Sequence, residues 1–236
     1  MCGRYTIGAP AEEAVRQFAL DRDAKEVWDS LTPRYNVAPT QTVPVVKLSP
    51  SEAAEPARRL VPMRWGLVPS WAQDPKIGNR LINARCETVA NKPAFRSAFK
   101  RRRCLVPATG FFEWKRTPRN KKHPFLLRRR GGGLLAFAGI WDSWHGDAPS
   151  GHLETFSIVT GPPNEVAAPI HDRMPVILPE PDYDIWLDPE ADPNHLLELL
   201  DVYPAERMEA YPVSLVVNNP RNDSPDCIEP LGGVGR

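Results

Sequence analysis

The chain of 236 residues has a formal net charge of +1 and 42% hydrophobic residues, enough to bury a core, so we do not expect a disordered chain. It has no apolar run of about 18 residues and no charged start followed by an apolar core, so we expect neither a membrane span nor a secretory leader. Its four cysteines are widely spaced and form no CxxC pair, which argues against a zinc site or a disulfide framework. We therefore expect a soluble cytoplasmic protein without a metal or cofactor.

Proline and charge are unevenly distributed along the chain. The 27 prolines are more than twice the usual share of about 5% and predict turns and short strands rather than long helices. Residues 96–130 carry thirteen Lys or Arg and one acid, whereas residues 180–236 carry thirteen acids and three Arg. The basic segment favours a polyanionic partner on one side of the molecule, although solvated surface loops are the simpler explanation of a charge run.

The pattern of apolar residues predicts an α+β fold in one domain, 1–236, with a frayed end at 232–236. A helix is predicted at 10–18, with Pro10 in its first turn. Runs of β-branched and aromatic residues predict strands at 43–48, 133–141, 155–160 and 212–217. Further short helices are predicted at 92–99, 164–168 and 193–200. Strands without regular βαβ alternation indicate a curved antiparallel sheet flanked by short helices.

Cys2 directly follows Met1, so removal of Met1 would expose an α-amine and a thiol on adjacent carbons. This 1,2-aminothiol can form a Schiff base with an aldehyde and then close through sulfur to a thiazolidine, a route that no internal cysteine has. Both groups titrate near neutrality, at about 7.7–8.0 for the amine and about 8.5 for the thiol. The alternative is that a cysteine occupies position 2 by chance and Met1 stays in place.

Two residues are candidates for proton transfer. Glu113 lies among the aromatics of GFFEWK in the basic segment, where desolvation raises the pKa of a carboxylate and cations lower it. His171 lies between Pro169 and Pro175, and an imidazole can donate and accept protons near pH 7. Strand alternation puts Glu113 opposite its aromatic neighbours, so a solvated glutamate is the alternative. For His171, the alternative is a structural histidine that only makes a hydrogen bond.

Several polar residues could contact a phosphorylated ligand. Asn83 and Arg85 are two apart in LINARCET, so their side chains would share one face of a strand. An amide such as that of Asn83 can orient a hydroxyl or carbonyl, and the guanidinium of Arg85 can bind a phosphate through two hydrogen bonds. Arg4 and Arg173 could each bind a further phosphate. Polar positions on a surface strand explain these residues equally well.

Aromatic residues occur next to these polar positions. MRWGLVPSW contains Trp65 and Trp71, and YNVAPTQ upstream contains Pro39. Near a basic face, aromatic rings stack on unpaired bases with roughly 1–3 kcal/mol each, and a proline can wedge between bases. Core packing is the alternative, and it is the more common situation for at least one of the two tryptophans.

In the order of its motifs, the whole chain from Cys2 to Cys227 resembles the SOS-response-associated peptidase (SRAP) family of abasic-site processing proteins. The motifs that carry the resemblance are MCGRY, YNVAPTQ, MRWGLVPSW, NARCET, RRCLVPATGFFEW, AGIW, HDRMPVIL and VVNNPRNDSPDC. The resemblance implies a single SRAP domain built on a β pseudo-barrel with surrounding helices. It also implies a function in the DNA-damage response, in which the protein shields abasic sites from strand cleavage.

The resemblance implies roles for individual residues. Cys2, after loss of Met1, would form a thiazolidine crosslink with the ring-opened aldehyde of an abasic site in single-stranded DNA. Asn83 would position the chain start and the sugar, Glu113 would move protons, and His171 would assist closure and reversal. Contacts with DNA would come from Arg4, Pro39, Trp65, Trp71, Arg85, Thr160 and Arg173. A monomer would suffice, and replication proteins could be further partners.

Two other functions fit part of these features. The family name records a peptidase interpretation, in which Cys2 is an N-terminal nucleophile and the proteolysis is no more than removal of Met1. A non-covalent single-strand binder would use only the cations and the aromatic residues. Phe112 departs from the family, which commonly has tyrosine there, and it removes a hydroxyl near Glu113.

Overall fold

The computed structural model of the chain describes residues 2–21, 23–49, 57–116, 118, 121–146 and 151–232. Of the predicted frayed end at 232–236, only Gly232 lies within the described residues. The strands are β1 (Tyr5–Ile7), β2 (Arg34–Val37), β3 (Thr42–Ser49), β4 (Ala57–Trp65), β5 (Asn83–Arg85), β6 (Arg103–Ala108), β7 (Gly110–Arg116), β8 (Lys122–Arg129), β9 (Leu135–Trp144), β10 (Leu153–Gly161), β11 (Met174–Pro175), β12 (Ile177–Leu178) and β13 (Met208–Pro212). The α-helices are α1 (Ala11–Phe18), α2 (Ala24–Leu31), α3 (Arg96–Arg101), α4 (Tyr183–Leu187) and α5 (Pro193–Glu198).

Five strands close into a ring in the order β10, β4, β3, β6, β9 and back to β10. Closure leaves these strands without open edges, which is the usual way for a small β-barrel to satisfy its backbone. The pairing of β4 with β10 is parallel, as is that of β5 with β10, and the other pairings of the ring are antiparallel. The ring confirms the predicted α+β fold with a β pseudo-barrel, and it corrects the expectation of a wholly antiparallel sheet.

A second sheet packs against the ring and carries the start of the chain. Its order is β13, β8, β7, β1, β2, and all its pairings are antiparallel. Tyr5 of β1 is fully buried, with its ring centroid 5.2 Å from that of Trp65 and 6.0 Å from that of Phe137. Edge-to-face pairs of this kind add about 0.5–1.5 kcal/mol to the burial of the rings. Because Cys2 and Arg4 precede Tyr5, this packing fixes them where the sheet meets the ring.

Two glycines allow the segment after β4 to fold back on the ring. Gly66 has a φ of 121°, and a Cβ built on it would lie 2.6 Å from the carbonyl oxygen of Gly78. A Cβ on Gly78 would lie 2.5 Å from the carbonyl oxygen of Gly66, so neither position has room for a side chain. The backbone N–H of Val68 also donates to Oγ1 of Thr155 on β10 at 2.8 Å. The segment that carries Trp71 is therefore held at both ends.

Most predicted elements are present. The helix predicted at 10–18 is α1, with Pro10 as the extended residue before it. The strands predicted at 43–48, 133–141 and 155–160 are β3, β9 and β10. The helix predicted at 193–200 is α5, and α3 begins at Arg96, inside the helix predicted at 92–99.

The strand predicted at 212–217 is wrong. Only Pro212 belongs to a strand, as the last residue of β13, and a 3₁₀-helix follows at Leu215–Asn218. Oγ of Ser214 accepts a hydrogen bond from the N–H of Val216 and so starts a helical turn. The β-branched valines indicated a strand, but this local side-chain cap decides the backbone conformation.

The helix predicted at 164–168 is also wrong, because this stretch forms turns. Oδ1 of Asn164 accepts the N–H groups of Val166 and Ala167, which starts a helical turn. Pro169 follows at once and cannot supply the N–H that a further turn requires.

None of the helices in the described part of the chain has the length and apolar character that crossing a bilayer requires.

Candidate functional site

Cys2 is docked against β5, which lies beside the ring strand β10. Nδ2 of Asn83 donates a hydrogen bond to the backbone carbonyl oxygen of Cys2 at 2.7 Å, across 81 positions of the chain. The residue Cys2 is fully buried, and its Sγ lies 3.9 Å from the carbonyl oxygen of Arg4. Oδ1 of Asn83 is buried and has no hydrogen-bond partner in the described part of the chain. The start of the chain is thus fixed, with an acceptor beside it.

Glu113 is buried on β7, next to the strand that follows Cys2. Phe112 and its alternating partner Trp114 face the other side of the sheet, where Phe112 joins a small apolar cluster with Val213 and Val217. The side chain of Glu113 is only 4% exposed, because the ring of strands packs on the face of the second sheet to which Glu113 belongs. Burial raises the pKa of Glu113 to about 7. The carboxyl group can therefore accept or donate a proton at neutral pH.

His171 completes a pair with Glu113. Its Nε2 lies 3.8 Å from Oε2 of Glu113, and burial lowers the pKa of the imidazole. Nδ1 of His171 accepts the backbone N–H of Arg173 at 3.1 Å and lies 3.0 Å from Oδ1 of Asp172. A neutral imidazole accepts from the amide, whereas an imidazolium would donate to the exposed carboxylate. Both protonation states of His171 thus have a partner at Nδ1.

The thiol of Cys2 is protonated in this setting. Burial raises its pKa well above the ordinary value, and the negative charge of Glu113 raises it further. A free thiolate is therefore not the resting form, and the sulfur needs a proton acceptor before it can attack. Glu113 is a carboxyl group close enough for its charge to affect that pKa.

Arg4 is held by its own chain on one side and open on the other. Nη1 donates to Oδ1 of Asn36 at 2.7 Å and to the carbonyl oxygen of Val217 at 2.8 Å. Nη2 donates to the carbonyl oxygen of Asn218 at 3.3 Å. The Nε–H and one N–H of Nη2 have no partner among the described residues, and these donors form the edge with which arginine binds an anion through two bonds.

The other two predicted phosphate ligands differ in their surroundings. Arg85 is exposed at the end of β5, opposite Thr160 of β10. Arg173 is mostly buried, and its two Nη groups bind the carboxylate of Glu87, while Nη2 also donates to the carbonyl oxygen of Thr160. The hydroxyl of Thr160 is buried and has no hydrogen-bond partner within the described chain. Arg173 therefore carries an anionic partner of its own before any ligand binds.

The two tryptophans have separate roles. Trp65 is fully buried, stacks on Phe156 and donates its Nε1–H to the carbonyl oxygen of Ile82. The prediction that Trp65 contacts DNA is corrected on this ground, since no part of its ring reaches the surface. Trp71 is 61% exposed and lines a surface groove with Lys76 and other residues. Of the two, only Trp71 offers a face to a base.

The remaining predicted contact, Pro39, lies in the turn between β2 and β3 and is half-buried. The next residue, Thr40, has a φ of 74°, and its N–H donates to the carbonyl oxygen of Trp65 at 2.8 Å. This bond anchors the turn beside the end of β4. Pro39 is thus part of a fixed turn rather than of a loose loop.

Sequence reasoning missed two residues of this region. Asn36, which binds Arg4, and Glu87, which binds Arg173, lie in the motifs YNVAPTQ and NARCET but received no role. Each lies far along the chain from its partner, 32 positions for Asn36 and 86 for Glu87, so their places in these motifs were the only signals. Among the described side chains, no three His, Cys, Asp or Glu residues are grouped so as to hold a metal ion.

Known proteins resemble the chain in sequence and in structure. The family model described as "SOS response associated peptidase (SRAP)" matches residues 1–220. "Abasic site processing protein YoqW" of Bacillus subtilis is 43% identical over 231 residues, which cover 97% of this chain and 99% of that protein. "Abasic site processing protein HMCES" of Mus musculus is 35% identical over an alignment of 272 positions, which covers 98% of this chain and 76% of that protein. The crystal structure of a Bacteroides thetaiotaomicron protein superimposes with a TM-score of 0.85 at 27% identity, covering 98% of this chain and all of that one.

Proposed function

Because the chain belongs to the SOS response associated peptidase family, we infer that it processes abasic sites in DNA. Relatives that carry this activity in their names match nearly the whole length of the chain. The observation that carries the chemical part of the proposal is that Cys2, held by Asn83, lies within reach of the charge of Glu113, which in turn pairs with His171. An N-terminal cysteine, a proton-transfer pair and an anion-binding arginine are the groups that capture of a sugar aldehyde requires.

We propose that capture is covalent and depends on removal of Met1. The α-amine of Cys2 attacks the C1′ aldehyde of the ring-opened abasic sugar to give a carbinolamine, which loses water to form a Schiff base. The thiol then adds to the imine carbon, and its proton ends on the nitrogen. The product is a thiazolidine that joins protein and DNA, with one water released. Because the amine and the thiol belong to one residue, closure of the ring is intramolecular and is accelerated by proximity.

The pKa values support attack by the amine before the sulfur. Burial keeps the thiol of Cys2 protonated, so it is a weak nucleophile until a base takes its proton. Glu113, with a pKa near 7, can donate the proton that expels water from the carbinolamine and then accept the proton of the thiol. One carboxyl group thus serves two consecutive steps.

His171 and Asn83 are proposed to support these steps. Nε2 of His171 faces Glu113, so the imidazole can exchange the proton with the carboxyl group and assist ring closure and its reversal. The free Oδ1 of Asn83 can accept a hydrogen bond from the α-amine or from a sugar hydroxyl, while Nδ2 keeps the carbonyl of Cys2 in place. We propose that these same groups serve the lyase-like Schiff-base chemistry that the family resemblance implies.

We propose that the DNA is single-stranded and bound by a monomer. The open edge of Arg4 and the exposed Arg85 would bind backbone phosphates, and Thr160 and Arg173 would bind another after Glu87 is displaced. Trp71 would stack on a base next to the lesion, and Pro39 would contact a base that flanks it. Replication proteins are proposed as further partners because abasic sites in single strands arise where DNA is being copied.

The decisive experiment mixes purified protein with a single-stranded oligonucleotide that contains one abasic site. We expect a heat-stable adduct of the summed mass minus one water, and an intact mass of the free protein that lacks Met1. Cys2→Ala should abolish the adduct, whereas Cys104→Ala, at a buried thiol of the ring strand β6, should leave it unchanged. An undiminished adduct with Cys2→Ala would contradict the mechanism.

The same preparation tests the other two functions. A peptidase would cleave peptides with multiple turnover, would lose that activity in Cys2→Ala, and would be indifferent to DNA. A non-covalent binder would form no adduct, and Cys2→Ala would leave its DNA affinity and salt dependence intact. Either result would replace the crosslinking proposal.

A further inference from the structure

Asn36 is a fully buried amide at the centre of a polar network that joins both ends of the chain. Its Oδ1 accepts from Nη1 of Arg4 at 2.7 Å. The two N–H groups of its Nδ2 are shared among three carbonyl oxygens of the C-terminal segment, at 3.1 Å for Val217, 3.1 Å for Asn219 and 2.7 Å for Asn222. We call residues 215–228 the C-terminal clasp. Asn36 is therefore the side chain through which the clasp and Arg4 are connected.

The network determines which edge of Arg4 is open. Both N–H groups of Nη1 are used, one by Asn36 and one by the carbonyl of Val217, and one N–H of Nη2 is used by the carbonyl of Asn218. Rotation of the guanidinium would break these bonds, so the plane of the group is fixed. The remaining donors, on Nε and Nη2, lie side by side, and this pair matches two oxygens of one phosphate.

We propose that Asn36 is a positioning residue for DNA binding, because its amide orients the open edge of Arg4 toward a backbone phosphate. The inference rests on the proposed DNA-binding role of Arg4. Asn36 itself is buried and touches no DNA, so it acts only through the guanidinium. A long arginine side chain on a surface would otherwise lose rotamer freedom when it binds, and an already ordered one does not.

A second attachment of the clasp provides a structural control. Oδ1 of Asp223 accepts the backbone N–H of Tyr35 at 2.5 Å and that of Asn36 at 2.9 Å, and Oδ2 pairs with Nε of Arg34 at 2.5 Å. None of these bonds involves Arg4. Loss of the Asp223 carboxylate should therefore loosen the clasp against β2 without removing the acceptor that orients Arg4.

The test measures affinity for an undamaged single-stranded oligonucleotide over a range of salt, so that the covalent step plays no part. Arg4→Gln should weaken binding by about tenfold to a hundredfold, the range for hydrogen bonds to a charged group. It should also make the salt slope shallower by about 0.7, the value for one phosphate contact on a single strand. Asn36→Ala should reproduce the change in slope, although it removes no charge.

The double variant Arg4→Gln/Asn36→Ala decides whether the two residues act as one. We expect it to bind as weakly as Arg4→Gln alone, because Asn36 has nothing left to orient. Asp223→Ala should lower the stability of the protein but keep at least the wild-type slope. Should Asn36→Ala fail to fold, Asn36→Ser replaces it, since a hydroxyl can still donate to one carbonyl of the clasp.

Two results would overturn the inference. A wild-type salt slope in the folded Asn36 variant would mean that Arg4 binds phosphate without its amide partner, as would additive losses in the double variant. An unchanged affinity in Arg4→Gln would instead remove the proposed role of Arg4 and, with it, the premise. Adduct formation on abasic DNA would persist in that case, so the covalent proposal would be judged separately.

Discussion

Nε2 of His171 lies 3.8 Å from Oε2 of Glu113, and burial shifts the pKa values of the two groups in opposite directions. The pKa of the carboxyl group rises to about 7, and that of the imidazole falls below its ordinary value. Burial therefore favours the uncharged form of both groups, a protonated carboxyl beside a neutral imidazole. A proton donor and a proton acceptor thus face each other, which suits a pair that must both give and take a proton.

Glu113→Gln should slow adduct formation by about a hundredfold or more, because general acid–base catalysis contributes at least that much. The amide keeps the shape of the carboxyl group but cannot transfer its proton, so non-covalent DNA affinity should be retained. The rate of the unsubstituted protein should also have a pH dependence centred near 7 that the variant lacks. Single-turnover rates from pH 6 to pH 8 check this, and a matching profile in the variant would exclude Glu113 from the chemistry.

The same substitution should change how stability depends on pH. The raised pKa means that the folded state holds a proton on Glu113 between the unfolded value of about 4.3 and about 7. The free energy of unfolding should therefore fall as pH rises through this window, by up to about 3 kcal/mol, and level off above it. Glu113→Gln removes this component, so its stability relative to the unsubstituted protein should increase with pH. Denaturant unfolding of both proteins at pH 5 and pH 8 measures this difference. The same change in the free energy of unfolding in both proteins would contradict the burial of Glu113.

His171→Ala should slow closure and reversal of the adduct by about a hundredfold while DNA binding is retained, since the variant loses a proton carrier. The reversal rate is the rate at which protein is released from a purified adduct. An excess of a free aldehyde captures the released aminothiol and so prevents the adduct from forming again. His123→Ala is the matched control, because His123 is an exposed histidine on β8 and should have no effect. Loss of DNA affinity in His171→Ala would indicate a structural role instead.

Trp71→Ala and Trp65→Ala should have opposite consequences. Trp71 is 61% exposed, so its removal should weaken binding to single strands by roughly 1–3 kcal/mol and leave stability nearly unchanged. Trp65 is fully buried against Tyr5 and Phe156, so its removal should lower the free energy of unfolding by about 3–5 kcal/mol. Thermal unfolding and DNA titration of both variants check this. A loss of stability in Trp71→Ala with a loss of DNA affinity alone in Trp65→Ala would mean that Trp65 stacks on DNA and Trp71 packs in the core.

Sequence patterns predicted the elements that depend on local composition. The apolar runs of β9 and β10 and the proline-capped α1 are readable because strand and helix periodicity are local properties. The strand predicted at 212–217 failed because the single hydroxyl of Ser214 outweighs the valine pattern after it. Closure of the ring through the parallel pairing of β4 with β10 depends on contacts between distant segments, which periodicity does not encode.

The sequence motifs named the residues of the proposed site but not the contacts between them. Cys2, Asn83, Glu113 and His171 are close together in the structure, and their roles in the chemistry remain proposals. That the carboxyl group of Glu113 is buried could not be read from β7, since strand alternation leaves both solvent and core as options for its face. Trp65 was misassigned because a tryptophan near prolines looks the same in sequence whether its ring is covered or open.

The bonds from Arg4 to the carbonyls of Val217 and Asn218 span 213 and 214 positions of the chain. On the ribosome, the first residues therefore emerge long before the groups that complete their pocket. A partly translated polypeptide lacks the carbonyl groups that orient Arg4 until residues 217 and 218 have been synthesised. A chain truncated before them would keep Cys2 but would lose the contacts that hold the guanidinium in place.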